Sequence, residues 1–287
     1  MWKDFLFGVA ATLGTEFVLA LTILAVALLR SERAANRLLK SAMIDVSFLA
    51  QLPGWRWSYS RLRQFETCKY AWLLKYIFEV PQRKLFFSEY GKLMHELIAG
   101  VLSGALSWPA AEIEYTRRFH EVLQCEEHCK CFGRTGSIKA GYFMDGLRFL
   151  RGGGTALAGL QPLAVEDFVV FEADGHPFCG YIDLVARNTS GAISIVDHKS
   201  RALKERGGRR VKFNALLDEY LRQLYLYSIP VAEQYGPPDY LTFNCFRTGS
   251  LIMEPFSRTA FDETIAWAQR TIEEILRETD WFPCENT

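Results

Sequence analysis

The sequence predicts an α/β body, because three consecutive runs between residues 165 and 199 alternate apolar and polar side chains while the stretches on either side carry helical spacing. Residues 165–172, 178–186 and 192–199 read as strands. The last two are joined by the turn residues Asn188-Thr-Ser-Gly191, which makes an antiparallel meander. Before the strands, Ser58 or Ser60 caps a helix whose apolar stripe is Leu62, Phe65, Tyr70, Leu73 and Leu74. Further helices are expected at 89–102, 109–124 and 141–150, with a polar, irregular stretch at 125–136. After the strands come a helix at 213–228, a hairpin of 240–246 and 251–256 around Thr248-Gly249, and an amphipathic helix at 258–278. No internal repeat or low-complexity tract interrupts this order.

With 287 residues, 49% of them apolar, the chain can bury a sizeable core. Lys plus Arg and Asp plus Glu each number 33, so net charge neither supports nor excludes a nucleic-acid partner, and any electropositive groove must be local. The 7 cysteines form an odd set without a framework, and a chain this long does not need disulfide staples; they read as reduced thiols.

Residues 1–42 differ from the body at 43–287. Residues 5–29 have Glu16 as their only charge, and at 1.5 Å per residue such a run exceeds a ~30 Å hydrocarbon core. Arg30, Arg33, Arg37 and Lys40 follow against Glu32 alone, so a membrane span would leave the body in the cytoplasm. A span is favoured over a buried amphipathic helix, although Glu16 is costly at mid-membrane. A third reading places the true start near Met43.

The chemistry concentrates at the strand ends. Along 193–199, Asp197 and Lys199 share a face while Val196 and His198 point the other way. Such a pair is often no more than a solvated edge pair. Asp183 changes the weighting, since it interrupts an otherwise apolar strand one hairpin earlier and can lie beside Asp197. A carboxylate there is costly unless a cation or hydrogen bonds compensate. Two carboxylates with a lysine suit a site where Mg²⁺ or Mn²⁺ polarises a phosphate and the lysine positions or deprotonates water.

Gly180-Tyr-Ile-Asp183 followed by Val196-Asp-His-Lys-Ser200 resembles the core of the PD-(D/E)XK nucleases, especially the RecB-like exonucleases and their CRISPR-associated relatives. Gly91-Lys-Leu-Met-His95 resembles the family's G-x-x-x-H element, and Gln223-Leu-Tyr-Leu-Tyr227 its Q-x-x-x-Y element. Gln223 and Tyr227 are an i, i+4 pair on one helix face. The resemblance implies a restriction-endonuclease-like core with a central mixed sheet flanked by helices. It further implies His95, Asp183 and Asp197 as metal ligands, Lys199 as the water-activating residue, and Glu166, Gln223 and Tyr227 in support. Each element alone has an ordinary structural explanation; together and in the family's order they point to metal-dependent phosphodiester hydrolysis on DNA, with an exonuclease expected.

Arg201, Lys204, Arg206, Arg209 and Arg210 follow the catalytic strand, either as a solvated loop or as an arm contacting phosphates. In many RecB-like relatives an early cysteine and a late cluster of three bind iron and sulfur. Cys68 and Cys284 sit where such ligands begin and resume, but two of the four thiolates a cluster needs are missing, as if the C-terminus were truncated or the cluster lost. Cys125, His128, Cys129 and Cys131 are close enough for Zn²⁺ but lack a usual knuckle spacing, and a polar insertion is favoured. Cys179 and Cys245 read as small core residues. The rivals to the enzyme are a non-catalytic nucleic-acid-binding module that keeps the fold, and a membrane-tethered scaffold that docks partners.

Overall fold

The computed structural model describes residues 44–125, 135–203 and 211–282. The apolar run 5–29, His128, Cys129, Cys131, Lys204, Arg206, Arg209, Arg210 and Cys284 all lie outside the described residues. Among the described residues no helix is long and apolar enough to cross a membrane. The described residues fall in two compact units, a smaller one drawn from within Met1–Pro53, Arg63–Glu79 and Thr271–Thr287 and a larger one from Gly54–Leu62 and Val80–Arg270.

Two helices replace the single one expected after Ser58. α1 (Tyr59–Thr67) is capped by Ser58, whose Oγ accepts from the Arg61 amide at 3.3 Å. α2 (Lys69–Tyr76) follows Cys68, whose extended backbone (φ −163°, ψ 107°) ends one helix while its Sγ accepts from the Ala71 amide and caps the next. In the smaller unit the Trp72 and Trp281 rings stack with centroids 5.6 Å apart, and Phe65 meets both edge-on. Trp281 Nε1 donates to the Ile44 carbonyl at 2.8 Å, and Lys69 pairs with Glu278.

In the larger unit, α3 (Phe86–Leu102), α4 (Trp108–Leu123) and α5 (Thr135–Arg151) share an apolar cluster built on Tyr90, Met94, Tyr115 and Phe119. Ser107 caps α4 by accepting from the Ala110 amide, and Pro109 occupies its first turn, where a missing N–H costs nothing. Leu184, Ala186, Val196 and Phe246 bring the sheet into the same cluster.

β1 (Gln161–Ala173), β2 (His176–Arg187), β3 (Ile193–His198), β4 (Tyr240–Cys245) and β5 (Ser250–Pro255) form one mixed sheet in sequence order. β1 and β2 turn at Asp174-Gly175, both with positive φ (49° and 74°), the backbone that matches the twist of a two-residue hairpin. Asn188 closes the next turn by accepting the Ser190 and Ala192 amides on Oδ1. β3 and β4 run parallel, with α6 (Val211–Tyr235) as the crossover between them; α7 (Arg258–Arg277) closes the order. The α/β class and mixed sheet expected from the sequence are the observed ones. α6 runs beyond the expected end at Ser228 because Pro230 is accommodated inside it, buried beside Asp167–Val170 at a groove of about 380 Å³. Cys245 is a core residue as expected, but Cys179 is only half-buried, since its strand partner is the exposed Val170.

Positions of one parity on β2 touch different layers. Gly180 lies under Tyr227 of α6, whereas Leu184 and Ala186 join the helical cluster. The hairpin therefore rotates its faces between these positions. There Glu166 adopts a left-handed backbone (φ 48°) across from Asp183, the two being bracketed by the pairs Val165↔Leu184 and Asp167↔Ile182. A non-glycine residue in that region within a strand is strained, and such strain is held in place only by its surroundings.

Candidate active site

His95 reaches the end of the sheet from the middle of α3. Its Nε2 lies 2.8 Å from the carbonyl oxygen of His198, which can only accept, so Nε2 carries a proton and Nδ1 is turned toward the acids. Nδ1 is 3.4 Å from Asp183 Oδ2 and 3.9 Å from Glu166 Oε1. Asp183 Oδ2 also accepts the His198 amide at 2.7 Å, so β3 fixes both the acid on β2 and the imidazole on α3 through one residue's backbone. Ligand atoms of His95, Glu166 and Asp183 all lie within 4.8 Å of one another.

The electrostatics follow from this crowding. Burial alone would favour a neutral His95, but the hydrogen bond and charge of Asp183, with Asp197 and Glu166 adding, raise its pKa to about 9. Burial pushes Asp183 up, yet His95, His198 and the His198 amide outweigh it and hold the carboxyl at about 2. Glu166 is raised by burial and by the Asp183 charge, against the pull of His95. Its Oε1 is shielded from solvent and has no hydrogen-bond partner among the described residues. Two carboxylates and an imidazole nitrogen, one oxygen unsatisfied, are the donor set a divalent cation takes, so the residues present fit a metal.

Asp197 stands beside this trio rather than within it. Its Oδ2 lies 2.7 Å from Lys199 Nζ, and burial with the Asp183 charge raises its pKa against the opposing lysine. Gln223 Nε2 donates to the Tyr227 hydroxyl at 3.5 Å, and that hydroxyl occupies the space a side chain at Gly180 would need. Burial, with Asp197 and Asp183 nearby, pushes the Tyr227 phenol up to about 12 although Gln223 opposes it. Of the basic segment only Arg201 is described, and it is exposed. Cys68 is buried at the head of α2 and is disulfide-bonded, which corrects the reduced thiol expected there.

Two contributors, His198 and Tyr220, are not among the residues the sequence points to, and Glu166 is expected only as a supporting acid, since its left-handed backbone has no sequence signature. His198 Nδ1 accepts from Asn244 Nδ2 at 3.2 Å across the parallel β3–β4 pair, and burial lowers its pKa to about 4, so its ring stays neutral. Tyr220 lies over the Lys199 ammonium, 4.6 Å from ring centroid to Nζ. Its spacing of three before Gln223 and seven before Tyr227 is the signal that would have found it.

The sequence profile of the PD-(D/E)XK nuclease superfamily matches residues 56–287. The chain belongs to the PD-(D/E)XK nuclease superfamily. No curated protein matches it. Among solved structures, it is similar to a protein named "Putative exonuclease" from Eubacterium rectale, at 14% identity and a TM-score of 0.49, over 81% of this chain and 85% of that one. Within this PD-(D/E)XK chain, Asp183 lies on β2, Asp197 on β3, and Lys199 directly follows β3.

Proposed function

We propose that the protein is a metal-dependent deoxyribonuclease, with His95, Glu166 and Asp183 as the first ligands of a divalent cation, Mg²⁺ or Mn²⁺, and Asp197 completing the acidic wall. The convergence of His95 Nδ1, Glu166 and Asp183 within 4.8 Å, next to the Asp197–Lys199 pair, carries this reading. A cation held there would supply Lewis-acid polarisation of a phosphodiester oxygen and lower the pKa of the attacking water. The chain's own residues do the rest. Lys199, ion-paired as an ammonium, has only protons to donate, so it orients the nucleophile and meets the charge that develops on the phosphate rather than removing a proton in its resting state. The His198 carbonyl and amide hold His95 and Asp183 in register. Gln223 and Tyr227 fix α6 over Gly180 at the edge of the site.

Exonuclease action and the RecB-like branch rest on the motif order Gly91 to Tyr227. The basic residues Arg201 to Arg210 are assigned to phosphate contacts, and the body to the cytoplasmic side of the basic flank that follows residues 5–29. Cys68 is disulfide-bonded, so it is not assigned as a thiolate ligand of an iron–sulfur cluster.

Cleavage of labelled single- and double-stranded DNA, with Mg²⁺ or Mn²⁺ against EDTA, tests the proposal. Metal-dependent cutting is expected, abolished by Asp197→Asn and Lys199→Ala with folding intact. Binding without cutting would instead favour a non-catalytic module.

A further inference from the structure

α6 presents Tyr220, Gln223 and Tyr227 at i, i+3 and i+7, one continuous stripe. The last two meet each other, and the first meets the lysine. Lys199 Nζ lies 4.6 Å from the Tyr220 ring centroid and 6.0 Å from that of Phe243, and the two rings are 6.3 Å apart. The ammonium also touches Asp197 Oδ2 at 2.7 Å. Phe243 is the register partner of Asp197 on β4 and is fully buried, whereas Tyr220 is half-buried at the rim.

We propose that Tyr220 is a positioning residue, which acts through Lys199 by giving its ammonium an aromatic face that fixes the side chain at the site. This rests on the nuclease reading above. A lysine side chain is long and rich in rotamers, so one ion pair defines the position of Nζ poorly. A ring face as a second contact restricts it further. The Lys199 side chain is only 19% exposed, which places the cation–π contact toward the desolvated, stronger end of its range. Nothing in this contact needs the phenol hydroxyl; the ring face is what holds the charge.

The test uses the full chain. Tyr220→Phe keeps the face and is expected to cleave at close to the parent rate. Tyr220→Leu removes it and is expected to lower kcat about tenfold with KM unchanged, as loss of one partly desolvated cation–π contact implies. Tyr220→Met, which also lacks a π face, replaces it if the leucine variant fails to fold. Independently of activity, the Lys199 ε-methylene protons of the metal-free protein, assigned with Lys199→Arg in selectively labelled lysine, should carry an upfield ring-current shift. That shift should be kept in Tyr220→Phe and lost in Tyr220→Leu. Parent-like cleavage by Tyr220→Leu, equal damage in both variants, or an unmoved lysine resonance would each overturn the assignment. If the parent chain does not cut DNA at all, the nuclease reading fails, while the resonance still decides whether Tyr220 holds Lys199.

Discussion

The hydroxyl of Tyr227 occupies the position that a β-carbon on residue 180 would take. The glycine of the Gly180-to-Asp183 motif is therefore a packing requirement of α6 against β2. Gly180→Ala must displace Tyr227, and overpacking of this kind costs about 1–3 kcal/mol. Urea unfolding should show that loss, and combining it with Tyr227→Ala should give much less than the sum of the two single losses. Full additivity would mean that the two residues do not compete for the space.

Gly91, by contrast, has open space where its β-carbon would stand. It lies inside α3, where alanine is favoured over glycine by about 1 kcal/mol. Gly91→Ala should raise the unfolding midpoint. A stability gain accompanied by lost cleavage would show that the glycine leaves room for substrate rather than serving the fold.

His95 holds its second proton up to about pH 9 in the metal-free protein. A cation requires the lone pair on Nδ1, so binding at any pH below that value must expel the proton. Metal affinity should rise with pH through neutrality and level off above about 9. Calorimetric titrations at pH 7 in buffers of different ionisation enthalpy should report about one proton released per metal. No release would remove His95 from the ligand set.

Glu166 is ionised only against burial and the charge of Asp183, so the free protein gains by losing that charge. Glu166→Gln should therefore melt higher than the parent without metal, yet bind Mn²⁺ more weakly by on the order of tenfold. A variant that melts higher and binds equally well would make Glu166 a bystander to the site.

The fold was legible where local chemistry decides it. The alternation of 165–199 and the turn chemistry of Asn188 mark the meander, and the amphipathic spacing of 258–278 marks the last helix. Where tertiary contacts decide, the signal was absent or misleading. The break at Cys68 comes from a cysteine sulfur acting as a cap, and Pro230 continues a helix that its type alone would end. The parallel pairing of β3 with β4 is a choice of sheet order that no periodicity encodes. At the site, the motif spacing singled out His95, Asp183, Asp197, Lys199, Gln223 and Tyr227. Glu166 joins the trio from a left-handed position in β1, which is a backbone conformation rather than a residue type.

The crossover from β3 to β4 also divides the order of assembly. Lys199, Tyr220 and Phe243 belong to one strand–helix–strand segment, so their contacts close within a short stretch of chain. The bond from His95 to the His198 carbonyl spans 103 residues and requires α3 to be docked on the end of β3. The lysine's surroundings thus depend on nearer parts of the chain than the imidazole's do. Partial unfolding of α3 would carry His95 away from the acids while leaving the ammonium in its aromatic seat.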